Sequence, residues 1–283
     1  MTRPSFKFGR QLCALIAVGV LLSLGMPAQA ELLPTPADLQ ARMPVKPQEF
    51  TVIEPHLSFK GEPPVRRLYR GYSADQVLGL LLGPDWRKRS QQELEFRALD
   101  GYVSRIPVER FARYKASLVF ALADASQSFT VDNKGQNEKN VPLGPYYLVW
   151  DNIGAPELLA EGASYWPYQI TQITLRQADS AALLPASLGE GAAQRWGEHA
   201  QLAQKYCLSC HQINGFGGDK MPLNLAVRAK LLDDRSWHVW LLTPQAFKPG
   251  TSMPPLPEAL PHAEREAIAA KLHAYLKALP VLP

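Results

Sequence analysis

The sequence predicts a multidomain chain: an N-terminal α+β domain with a mostly antiparallel sheet, followed by a C-terminal all-α domain. Three observations predict it. Between Leu68 and Leu175, short runs rich in Val, Ile, Tyr and Phe alternate with turn residues, the pattern of paired strands. After Gly191 the apolar residues recur at three and four, the pattern of helices. Between the two lies an Ala/Ser/Pro/Gly-rich stretch, 178–190, of the kind that links domains. A chain of 283 residues, 46% of them hydrophobic, can bury one large core or two modest ones.

The first element is a targeting segment over residues 1–30. Arg3, Lys7 and Arg10 precede an apolar run from Leu12 to Leu24, and Met26-Pro-Ala-Gln-Ala30 supplies the small residues of a cleavage site, so the cut is expected after Ala30. The run is shorter than the roughly 20 apolar residues of a membrane span. No later stretch is longer, which predicts an exported, periplasmic protein with no membrane span once the signal is removed. Cleavage removes Cys13 and three positive charges; 30 − 3 = 27 basic residues then face 26 acidic ones. That balance lacks the concentrated basic face of a nucleic-acid binder.

Residues 31–64 contain seven prolines and no clear periodicity, which predicts an extended arm. The α+β domain follows over 65–177. "ADQVLGLLLG" reads as a helix, "GYVSRIPV" and "SLVFALA" as strands, and "PVERFARYKA" as a short helix between them. A strand, a polar turn around Asn133 to Asn140, a second strand ending in "YYLVW" and a last one in "YWPYQITQITL" complete it. Asp100, Asp124, Asp132 and Asp151 pair with no histidine in a known motif, and there is no phosphate-binding loop or nucleophile elbow. Partner docking is therefore the expected role of this half.

Chemistry concentrates at Cys207-Leu-Ser-Cys210-His211. A thioredoxin-like redox pair opens a helix after a strand. Here the pair ends an apparent helix, because Trp196, Ala200, Ala203, Cys207 and Cys210 recur at helical spacing. A structural zinc site needs four ligands, and the mature chain has no second Cys/His pair. Cys-x-x-Cys-His reads instead as the attachment site of one covalent haem c. Two cysteines three positions apart on a turn point the same way, towards one haem edge, and the adjacent histidine can reach the iron. Export strengthens the reading, since haem joins such motifs outside the cytoplasm.

With these residues in view, the stretch from about 189 to 281 resembles a class I cytochrome c domain, which gives an all-α monohaem domain over 191–283. The resemblance implies His211 and Met253 as axial iron ligands, with Met253 in a Gly250-x-x-Met253-Pro254 loop before the last helix. Met43 lies in the distant Pro-rich segment, and Met221 directly precedes a proline that the family places on the histidine side. That proline, Pro222, is implied as the backbone acceptor for the other ring N–H of His211. The first and last helices should cross, with Trp196 or Tyr206 filling the volume beside Ala203, where the family commonly has an aromatic. A His/Met-ligated haem has a raised potential and no free iron position. His238 is expected as a packing or surface residue, His199, His262 and His273 on helix surfaces and His56 on a distant segment, and core packing is the expectation for Trp237 and Trp240.

The first half resembles a truncated sulfite-oxidase-type molybdopterin-binding domain, on the phrases "ALDGYVSRIPVERF", "VPLGPYYLVW" and "YWPYQITQITL". That family holds its metal through a cysteine thiolate, and residues 31–206 contain no cysteine. No molybdenum cofactor is therefore expected. The function these resemblances imply is single-electron transfer, with a periplasmic dehydrogenase or oxidase as partner. Two alternatives stay open: a catalytic N-terminal half, or a haem enzyme or sensor with an open sixth position.

Overall fold

A computed structural model describes residues 29–58, 61–89, 91–177 and 183–282. Residues 1–28 of the signal expected over 1–30, Cys13 included, and residues 178–182 of the expected linker lie outside the described residues. Two four-stranded antiparallel sheets carry the first half. One orders β1 (Gln29–Leu32), β10 (Ile170–Gln177), β4 (Gln92–Ala98) and β5 (Val103–Pro107). The other orders β2 (Gln48–Ile53), β3 (Arg66–Ser73), β6 (Ala116–Leu122) and β9 (Tyr147–Trp150). A separate ribbon pairs β7 (Thr130–Asn133) with β8 (Glu138–Pro142).

The Pro-rich stretch 31–64 is woven into both large sheets through β1 and β2, with helix α1 (Pro36–Arg42) between them. Its prolines punctuate these elements rather than break them. Pro36 stands in the first turn of α1, where its missing N–H costs nothing, and the Thr35 hydroxyl caps the helix by accepting from the Asp38 N–H at 3.2 Å. Helices α2 (Ala74–Leu82) and α3 (Val108–Arg113) cover the sheets. The core between them is aromatic, with Tyr69, Trp86, Phe96, Tyr147 and Trp150 buried.

The close approach of β3 to β6 depends on Gly71, where the register shifts. A Cβ there would stand 2.3 Å from the Leu118 carbonyl oxygen and 2.5 Å from the Val119 Cα, both backbone atoms. Gly71→Ala is therefore expected to cost about 3 kcal/mol, the upper end of overpacking penalties. Urea unfolding checks this, and an unchanged midpoint would contradict the packing.

The last part of the chain holds α4 (Ala192–Tyr206), α5 (Leu225–Leu231), α6 (Asp234–Leu242), the single turn α7 (Pro244–Phe247) and α8 (His262–Ala278). The expected all-α class for this part is nevertheless wrong. β11 (Gln212–Ile213) and β12 (Phe216–Gly217) form an antiparallel ribbon in its middle, and Gln212 adds a parallel bridge to Asn224. The described residues thus carry four antiparallel sheets spread along a mixed α and β chain. The cause is local. Asn214 (φ 49°) and Gly215 (φ 84°) both occupy the left-handed region, the backbone of a two-residue hairpin turn.

Helices α4 and α8 pack on each other, with the Trp196 ring 6.0 Å from Tyr275 and Ala203 fully buried. His273, expected on a helix surface, is buried: its Nε2 meets the Ala229 carbonyl at 2.9 Å, and its ring stacks on Trp237 at 4.8 Å. Among the described residues, no helix is long and apolar enough to cross a membrane.

Candidate functional site

Helix α4 stops at Tyr206, but the chain continues to coil for one more turn. The Cys207 N–H donates to the Ala203 carbonyl at 2.9 Å, and the N–H groups of Cys210 and His211 both donate to the Cys207 carbonyl, at 3.2 and 3.0 Å. That turn brings Cys207, Cys210 and His211 to the wall of one cavity of about 1220 Å³. The volume exceeds the roughly 300–1,000 Å³ usual for a small-molecule site.

Two further loops fix the motif. In the first, the Met221 N–H donates to the Cys210 carbonyl at 2.8 Å, and the Met221 carbonyl lies 2.9 Å from Nδ1 of His211. A carbonyl only accepts, so Nδ1 carries the proton and Nε2 keeps its lone pair. The acceptor is thus Met221 and not Pro222, the residue anticipated for this role. The Pro222 ring presets its own φ and biases Met221 to extended backbone, which leaves the Met221 carbonyl to take both His211 and the Leu223 N–H. Pro222 contributes to the cavity wall. In the second, the ribbon turns back so that Gly217 and Gly218 lie on the motif's own backbone: Cβ atoms there would fall 2.0 Å from the His211 oxygen and 2.1 Å from the Ser209 oxygen.

Met253 reaches the same cavity from the loop after α7. The Gln245 side chain anchors that loop, accepting from the Gly250 N–H at 3.1 Å and donating to the Thr251 carbonyl, while the Leu256 N–H donates to Leu241. Met221 also lines the cavity, whereas Met43 is buried in the core of the first half. His238 spends its Nδ1 on the Asp234 carbonyl, and Trp237 spends its indole N–H on the Ala269 carbonyl.

Burial governs the protonation of these groups. It pushes Cys207 up to about 12, with the Cys210 sulfur adding to the effect, and Cys210 up to about 11 against the opposing pull of Lys220. In the chain without a bound group both are therefore protonated thiols at neutral pH. Burial also lowers His211, against the Met221 carbonyl, so its imidazole is neutral at neutral pH. The donor set fits a covalent haem: two thiols and a neutral imidazole on one turn, and a thioether on another loop of the same wall. Arg228 lines the cavity too, with its guanidinium over the Trp240 ring at 5.0 Å and its Nε without a partner among the described residues.

The sequence reading missed how closely the first half closes over the motif. The Val103 N–H donates to the Ser209 carbonyl at 2.9 Å, the Asp219 N–H to Gly101 at 2.8 Å, and the Gln204 amide to Glu93 at 2.8 Å. Lys220 pairs with Asp100 at 3.0 Å, and the Arg105 guanidinium lies 4.2 Å from the Phe216 ring centre. The opposite wall of the cavity comes from the first half, including Ile53, His56, Leu158, Trp166 and Tyr168. Among the described residues, no three or more His, Cys, Asp or Glu side chains gather as a metal cage. No family model matches the chain, nor does any curated protein or solved structure, so the site is read from its own geometry.

Proposed function

We propose that the protein is an exported c-type haem protein that carries single electrons between periplasmic redox partners, such as a dehydrogenase and an oxidase. One observation carries the reading: Cys207, Cys210 and His211 on one turn and Met253 on a distant loop line a single cavity. Haem held by a histidine and a methionine supplies a one-electron couple at the high end of its range, with no iron position left for substrate. The chain's own residues do the rest. Cys207 and Cys210 tether, His211 presents a fixed Nε2 oriented through the Met221 carbonyl, and Met253 offers its thioether. Leu225, Leu241 and Leu256 line the site with apolar surface. Export rests on the order of residues 1–30, and the absence of molybdenum on the lack of cysteine in 31–206. The outer faces of the first half are left for partner docking.

Visible spectra of the oxidised and reduced protein, beside Met253→Ala, test the ligand set. The wild type is expected to be low-spin, with a weak band at the red end that the substitution removes. A high-spin wild type that binds carbon monoxide would contradict it and leave a haem enzyme or sensor. One observation favours a second reading, in which the first half takes part in chemistry: it supplies much of the cavity wall.

A further inference from the structure

The wall opposite the cysteine motif carries a polar cluster that electron transfer does not use. Glu54, fully buried just after β2, accepts from the Tyr69 hydroxyl at 2.5 Å, the Tyr147 hydroxyl at 3.0 Å, the His56 backbone N–H at 3.1 Å and the His56 ring Nδ1 at 2.6 Å. Burial alone would raise this carboxyl, but the hydrogen bond and charge of His56, together with the Tyr69 hydroxyl, hold it below its usual value. An ionised carboxylate only accepts, so Nδ1 of His56 carries the proton. Its Nε2 is left on the cavity wall with no hydrogen-bond partner among the described residues, in a side chain only 5% exposed, and in the neutral ring it is a lone-pair acceptor. A buried acceptor held in one tautomer by a buried carboxylate is the arrangement that receives a hydroxyl proton.

We propose that this wall is a binding site for a small hydroxylated aromatic molecule of the phenol, catechol or hydroquinone class, its hydroxyl donating to Nε2 of His56. The surroundings select the class. Trp166 and Tyr168 supply ring faces, and Ile53 and Leu158 supply apolar surface. Tyr168 stands edge-on to His56 at 5.6 Å, and its hydroxyl, which accepts from Asn133 at 3.2 Å, keeps its own proton to donate. Carboxylates are disfavoured. Of the lysines lining the cavity, Lys220 faces Asp100 at 3.0 Å, Lys134 faces Glu62 at 3.4 Å and Lys205 faces Glu161 at 3.8 Å, and the Glu54 charge stands behind His56. The site goes beyond electron transfer and does not rest on the haem.

Titration of the full chain with resorcinol, followed by calorimetry and tryptophan fluorescence, tests the site. One saturable site per chain is expected, weakened at least tenfold by His56→Gln, which is about 1.4 kcal/mol. Because His56→Gln disturbs a buried cluster, Leu159→Trp serves as the second variant. Leu159 is 39% exposed on the cavity wall and makes none of the Glu54 hydrogen bonds, so the larger ring narrows the chamber there, and binding is expected to weaken. Benzoate is expected to bind more weakly than resorcinol. Absence of saturable binding, binding indifferent to both substitutions, or tighter binding of benzoate would overturn the proposal. A colourless preparation that still binds resorcinol would support this site while removing the haem reading, so the two fail separately.

Discussion

Replacing Cys207 and Cys210 together with alanine is expected to leave a protein without covalently held pigment. The two sulfurs sit on the single turn after α4 and share the cavity wall with His211 and Met253. Without them the haem can only be held by its iron ligands, and denaturation or acid solvent extracts it. Stability should fall with it. A ligand present at a thousandfold excess over its Kd contributes about 4 kcal/mol to the folded state, which in a chain of this size is roughly 10 °C of Tm. Cys207→Ala alone keeps one tether and should retain pigment with a shifted reduced absorption band. Full pigment in the double variant would show that the cysteines do not hold the group.

The second large effect belongs to Gly218. Its missing Cβ leaves room for the Ser209 carbonyl, which would otherwise lie 2.1 Å away, and its N–H donates to the Leu208 carbonyl at 2.9 Å. Ser209 lies inside the cysteine motif, so Gly218→Ala must push apart backbone that positions Cys210 and His211. An expected cost of about 3 kcal/mol follows from overpacking against rigid backbone, together with a fall in haem incorporated per chain. Gly197 is the control. It lies inside α4 with nothing within 4 Å of an added Cβ, and Gly197→Ala should gain up to about 1 kcal/mol from helix propensity. Equal effects from the two substitutions would contradict the close approach. Urea unfolding and pigment per chain read both.

The site was legible in the sequence to the extent that its parts are local. The cysteines and histidine occupy five consecutive positions, and the Met253 loop announces itself through Gly250, Pro254 and Pro255. The ribbon beside the motif was also written locally, in Asn214-Gly215, the residue pair that a two-residue hairpin favours. Reading the segment as helical throughout hid it. Residues 31–64 misled for a related reason: the prolines were read as an extended arm, whereas Pro34, Pro44 and Pro47 fall between β1, α1 and β2 and Pro36 opens α1. The Glu54, His56, Tyr69 and Tyr147 cluster had no comparable signal. Its members come from β3, β9 and the turn just after β2 and meet only through the order in which those strands pair. No spacing in one sequence encodes that pairing. The same holds for Met221, whose carbonyl serves His211 because of where Pro222 turns the chain.

The central claim is that Cys207 and Cys210 carry a covalent haem. The intact mass of the exported full-length protein, read beside the absorption spectrum of its alkaline pyridine derivative, tests it most directly. The expected product is a chain beginning at Glu31, heavier by a single haem, with the spectrum of a haem bound through two thioethers and no free thiol left to titrate. A chain of unmodified mass with two titratable thiols would contradict it.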